Sequence, residues 1–204
     1  MDKKILKVCM LGSFSLEYAG KELVLDRNKN SKTTQLFQLL MLHTEDGGIS
    51  KAAMIEALYG RVEVENKNSS LNNTIFRLRK QLKDIGLPES KYINIQSGMC
   101  CWDENIKVWV DVCEFKRLVE QVRTEKREGD RLQLWLKIWK IYKGEFLPDM
   151  IGENWAAVEN VQCRDDYFQV TTQLCQWLKN NERYEDLHRI SHMTAEIYPF
   201  DEWQ

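Results

Sequence analysis

Between Asn66 and Gly86 the chain reads NKNSSLNNTIFRLRKQLKDIG. Leu71, Ile75, Leu78 and Leu82 recur there at helical spacing and make one narrow apolar stripe. The far side of the same helix carries Ser69, Asn73, Phe76, Arg77 and Lys80, with Asn72 and Arg79 on its flanks. Amides, hydroxyls and cations are the groups that read base edges and hold phosphates. The pattern therefore fits a helix that buries its aliphatics and lays its polar face in a DNA major groove. It also fits a helix with a merely solvated face, and the neighbouring elements decide between the two.

Within that segment Asn73, Arg77 and Lys80 are the leading candidates for groove contact. Asn68 and Ser69 sit near the helix start, where backbone N–H groups and short polar side chains hold phosphate. Phe76 on the reading face suits either a thymine methyl group or packing against a neighbouring hairpin. Asn72 flanks the reading face, and Arg79 has a competing partner in an acid such as Asp103. Two further positions lie outside the helix. Ser50 and Lys51 open a shorter helix, with Ser50 equally suited to a plain cap. Ser97 stands at the tip of a later hairpin.

Other chemistry finds no support in the residues. No P-loop, G-x-G-x-x-G, G-x-S-x-G or H-E-x-x-H pattern occurs, so neither an enzyme nor a bound cofactor is expected. His188 and His192 lie four apart on a helical stretch, but no third ligand stands at a recognised spacing, and no metal site is assigned. Six cysteines include no C-x-x-C unit, and the vicinal Cys100–Cys101 pair suits strand packing better than a disulfide. Trp135, Trp139, Trp155 and Trp177 read as core.

The elements that must position the polar-faced helix follow from the flanking patterns. Three short strand-like runs come first: Ile5 to Leu11, Phe14 to Tyr18 and Leu23 to Leu25. A helix starting near Ser31 to Thr34 buries Leu36, Phe37, Leu39, Leu40 and Leu42, and Gly47-Gly48 breaks it. A second helix from Ser50 carries Met54, Ile55, Leu58 and Tyr59 and ends at Gly60. The polar-faced helix is the third, stopped by Gly86 and Pro88. Two runs, Tyr92 to Ile95 and Met99 to Trp102, then flank Gln96-Ser97-Gly98 as a hairpin, and Ile106 to Val110 is extended. Strands, three helices and a hairpin make a winged helix-turn-helix, whose third helix enters the major groove.

Beyond Asp111 only helical periodicity remains. Helices are expected over about 113–124, then past a break at Gly129-Asp130, then over about 153–180 and 184–198. Helix pairs joined by short turns resemble helical repeats near tetratricopeptide spacing. The expected fold is thus an α+β winged helix-turn-helix over residues 1–110 followed by an all-α tetratricopeptide-like domain over residues 111–204.

Charge follows the same division. The net charge is −2, yet the first 110 residues hold 16 Lys and Arg against 13 Asp and Glu, and the rest hold 13 against 18. The polar-faced helix lies in the positive part, which permits an anionic partner. No apolar run is long enough to span a bilayer, and the first ten residues read as a strand rather than an export signal. Free thiols and a cytoplasmic location are expected.

Several segments together resemble the Streptomyces antibiotic regulatory protein family, and the resemblance covers nearly the whole chain. Leu11-Gly12-Ser13-Phe14 is similar to that family's opening strand and turn, and Leu58-Tyr59-Gly60 to the end of its second helix. Arg77-Leu78-Arg79-Lys80-Gln81-Leu82 resembles its recognition helix. Val110-Asp111 followed by Phe115 looks like the start of its activator domain. The most specific piece is Tyr142-Lys143-Gly144-Glu145-Phe146-Leu147-Pro148 with Trp155 and Glu159 downstream, and Tyr198 to Glu202 resembles a repeat end. The resemblance implies a transcriptional regulator that binds direct repeats in promoter DNA, contacts RNA polymerase holoenzyme through the sigma factor or alpha subunit, and self-associates as a homodimer. The hairpin tip, Ser97 to Trp102, lacks the cation usual in that family. The uncharged tip and the acidic second half favour the alternative, a scaffold whose winged helix no longer binds DNA.

Overall fold

The computed structural model describes residues 4–150 and 152–199. It is a mixed α/β chain with two small sheets and seven α-helices among the described residues. Met1 to Lys3 and the segment Phe200-Asp201-Glu202, both read above, lie outside them.

Strands β1 (Leu6–Cys9), β2 (Ser15–Tyr18) and β3 (Lys21–Leu23) form an antiparallel meander. Alternation drives it: Leu6, Val8 and Leu16 are buried while Lys7 points out beside Glu17. The later strand β7 (Val108–Val110) joins the open side of β1 in parallel, giving the order β3-β2-β1-β7. Helix α1 (Lys32–Leu42) is capped by Ser31, whose hydroxyl accepts from the Thr34 N–H at 3.2 Å. Its residues from Thr33 to Leu42 are all buried, so it is the axis around which the rest packs.

A two-residue strand, β4 (Ile49–Ser50), leads into α2 (Lys51–Tyr59), and α3 (Lys67–Asp84) follows. The hairpin of β5 (Ile93–Gln96) and β6 (Met99–Trp102) pairs with β4 in the order β4-β6-β5. Its tip has Ser97 at φ 49° and Gly98 at φ 79°, the two left-handed residues of a tight hairpin turn. Gly48 is held at φ 103°, where a Cβ would stand 2.5 Å from the Cys100 carbonyl oxygen, so only glycine lets β4 approach β6.

The remaining helices are α4 (Asp111–Thr124), α5 (Glu128–Ile141), α6 (Asn154–Asn180) and α7 (Tyr184–Ile197), each packed on its neighbour in sequence. The break expected at Gly129-Asp130 lies instead at residues 125–127, where the Glu125 carboxylate accepts the Lys126 and Arg127 N–H groups and turns the chain. Gly129 falls in the first turn of α5, where its flexibility costs little. The core face of α5 is Leu132, Trp135 and Ile138, with Leu134 and Leu136 only half-buried. Tyr142 stacks on Tyr167 at 4.1 Å, and its hydroxyl meets that of Tyr198. All six cysteines are free thiols, and Cys100, Cys113 and Cys163 are buried. No helix among the described residues is long and apolar enough to cross a membrane.

One core runs through both halves of the chain. Asp111 marks their join: its buried carboxylate accepts the Met10, Leu11 and Val112 N–H groups at 2.7–2.9 Å. Beside it the Leu11-Gly12 turn pairs with the Gly144 to Leu147 segment, Gly12 N–H to Glu145 O at 2.8 Å and Leu147 N–H to Met10 O at 2.9 Å. Farther along, Glu153 accepts from Gln35 at 3.0 Å and sits 3.5 Å from the Lys32 ammonium.

Candidate nucleic-acid interface

Helix α3 is built on its apolar stripe. Leu71, Ile75, Leu78 and Leu82 are all at most 2% exposed and pack toward α1 and α2. Thr74 is buried with them, and its hydroxyl meets the Tyr59 hydroxyl at 2.7 Å, tying α3 to the end of α2. At the other end Gln81 donates to Asp26 at 3.5 Å. Asn66 caps the helix, its side-chain oxygen accepting from the Ser69 N–H at 2.9 Å. An Asn directly before a helix, its side chain within reach of the unsatisfied N–H three residues on, is the signal that marks it.

The outer face is open. Asn68, Ser69, Asn72, Asn73, Phe76, Arg77 and Lys80 are all exposed. Among the described residues no hydrogen bond or ion pair occupies the side chains of Asn72, Asn73, Arg77 or Lys80. They stand on one continuous surface with their donors and acceptors unspent. One turn further, Lys83 is engaged by Glu89 at 3.0 Å, and that bond holds its ammonium pKa above the usual value.

Arg79 is placed differently from the others. Its guanidinium turns back from the exposed face and donates to the Lys91 carbonyl at 3.1 Å and the Ile93 carbonyl at 2.6 Å. It therefore fastens α3 to the first strand of the hairpin. The acid weighed as its partner, Asp103, is occupied by Ser90 and Asn105. Hydrogen bonds from Ser90 and Asn105, set against the cost of burial, keep the Asp103 carboxyl below the usual range.

Ser50 is the cap of α2, accepting from the Ala53 N–H at 3.1 Å. Lys51 opens that helix, and its backbone N–H donates to Gly98 O at 2.8 Å. This bond brings the hairpin tip, with exposed Ser97, to the start of α2. The assigned residues thus fall into two groups: the outer face of α3, and a smaller cluster of Ser50, Lys51 and Ser97 where the hairpin tip meets α2. Phe76 does not pack on the hairpin; its ring is 69% exposed. No cluster of metal-ligating side chains is found among the described residues.

Searches against protein-family models and against curated protein sequences give no match. Among solved structures, EmbR of Mycobacterium tuberculosis, captured in complex with a low affinity phosphopeptide, superposes with a TM-score of 0.68 at 14% identity. The match covers 97% of this chain and 52% of that one, so the chain spans about half the length of EmbR. At this identity the likeness shows the fold alone, a mixed α/β architecture shared over nearly the whole of this chain.

Proposed function

We propose that the chain is a sequence-specific DNA-binding transcriptional regulator and not an enzyme. In this reading residues 1–110 are a winged helix-turn-helix, with α3 in the major groove and the β5–β6 hairpin as its wing. Residues 111–204 are a tetratricopeptide-like body for protein contacts, with RNA polymerase holoenzyme and a second copy of the chain as partners. The cognate ligand is double-stranded promoter DNA carrying direct repeats.

The observation that carries the reading is the unspent outer face of α3. The side chains of Asn72, Asn73, Arg77 and Lys80 make no hydrogen bond or ion pair among the described residues, while the stripe beneath them fixes their spacing. Amides suit adenine edges, and arginine suits guanine. Lys51 and Lys80 suit phosphates, as do Asn68 and Ser69 at the helix start.

The test is selection from random duplex DNA with the purified chain, followed by affinity measurement on the enriched site. Two phosphate-neutralising cations, Lys51 and Lys80, give a log–log salt slope of about −2. Arg77→Ala is expected to weaken the selected site by about tenfold or more and to relax preference at one base pair, with stability unchanged. A variant that binds and discriminates like the parent removes Arg77 from the interface.

The competing reading is a protein scaffold. Glu63 and Glu65 stand exposed just before α3, and the hairpin tip carries no cation, which sets repulsion against attraction at the groove. Absence of any enriched duplex at low salt decides for the scaffold.

A further inference from the structure

We propose that Phe76 reads thymine: its ring receives the C5-methyl group in the major groove, so the chain distinguishes thymine from the same pyrimidine without that methyl. The inference rests on the DNA-binding reading above and specifies which base chemistry α3 recognises.

Phe76 stands close to the outward axis of α3. At roughly 100° per residue it lies nearly opposite the Leu71–Leu78 line, between Asn72 one turn before and Lys80 one turn after. Its ring is 69% exposed and makes no ring contact among the described residues. A phenylalanine there leaves most of its apolar area in water and adds nothing to the helix, since aromatic residues are middling helix formers. Its neighbours are unpaired amides and cations, so the surface as a whole is shaped for an anionic, hydrogen-bonding partner that also offers one apolar feature at the middle of the contact.

The DNA major groove has that combination. Each A·T pair shows an adenine N6/N7 edge that an asparagine side chain grips with two hydrogen bonds, and a thymine methyl that is the groove's one apolar group. With Asn72 and Asn73 four and three residues from Phe76 on one face, amide and ring reach the same pair or adjacent pairs. A phosphate beside them meets Lys80, and Arg77 reaches a neighbouring guanine. Cytosine offers the ring no such group, and a buried apolar ring with nothing to cover it loses its advantage.

The test uses the full chain and the duplex it enriches from a random pool. Each thymine of that duplex is replaced singly by deoxyuridine, which removes the methyl and leaves every hydrogen-bonding group. Binding is expected to weaken about three- to tenfold at one or two thymines per half-site, the effect of exposing one buried methyl-sized group. Phe76→Ala abolishes that sensitivity, and Phe76→Leu, which keeps an apolar side chain, retains part of it. Both substitutions are on an exposed position and leave the unfolding midpoint in place. A flat deoxyuridine scan with the parent chain overturns the inference while leaving DNA binding intact. Methyl sensitivity that survives in Phe76→Ala overturns the assignment to this residue. Failure to enrich any duplex overturns the DNA-binding reading and this inference with it.

Discussion

Asp111 offers a sharp test of the forces at the join between the two halves. Its carboxylate is 3% exposed, yet it accepts from three backbone N–H groups, two of them on the distant β1 end. Two effects oppose each other. Burial disfavours the charged form, and the N–H donors favour it. Burial prevails, and the carboxyl is pushed up from 3.8 to about 6. The folded chain therefore binds this proton more tightly than the unfolded chain does between those two values. The stabilisation is complete below the unfolded value and is lost as the pH rises through about 6. A gap of about two units is worth about 3 kcal/mol at most. Asp111→Asn cannot ionise. It keeps an oxygen for the Met10 and Val112 donors but turns an amide N–H₂ toward Leu11. Urea unfolding of parent and variant at matched pH gives the difference in stability. That difference should move against the parent by about 2–3 kcal/mol between about pH 4 and pH 7. A flat difference, or one that favours the parent more as pH rises, means that the N–H donors outweigh burial and refutes the reasoning.

Two further substitutions probe the platform beneath the outer face of α3. Arg79→Ala removes both bonds that hold the hairpin to α3 and should lower stability by about 1–2 kcal/mol, since the guanidinium is only half-buried; thermal unfolding measures it, and an unchanged midpoint shows the clamp to be idle. Gly48→Ala places a Cβ 2.5 Å from the Cys100 carbonyl at a left-handed φ and should cost about 2 kcal/mol or more, with amide exchange quickening along β4 and β6; a folded variant with unaltered exchange means that the strand yields freely.

What could be read from the sequence was local. The stripe Leu71, Ile75, Leu78, Leu82 announces itself because a 3.6-residue period repeats over several turns, and the caps Ser31 and Ser50 announce themselves by residue type and offset. The open face of α3 followed, since what is not stripe must face elsewhere. Pairing was not legible. Val108–Val110 looks like any short extended run, and nothing in its residues says that it lies parallel to Leu6–Val8 a hundred residues earlier. The two-residue strand β4 is too short to show alternation. Arg79 was placed with the reading residues because its partners are backbone carbonyls, which carry no residue identity in the sequence. The role of Asp111 carries no local signal, because two of its donors, Met10 and Leu11, lie a hundred residues earlier.

The most specific motif in the sequence, Tyr142 to Pro148, touches another of its motifs, Leu11-Gly12-Ser13-Phe14. Leu11 bridges Phe146, and backbone bonds run both ways between the segments. Gly12 sits at φ 95° with the Lys143 carbonyl 3.4 Å from where a Cβ would be, and Gly144 faces it with the Gly12 Cα at the same distance. Two glycines let two backbones meet with no side chain between them, so the contact has little room to slide. Asp111 adds three N–H bonds on one side of that crossing, and Glu153 with Lys32 and Gln35 adds a polar tie to α1 on the other. Helix α1 is in turn the surface on which α3 rests. The helices after Asp111 are thus joined to α3 through buried backbone and through α1, whose residues from Thr33 to Leu42 are all buried.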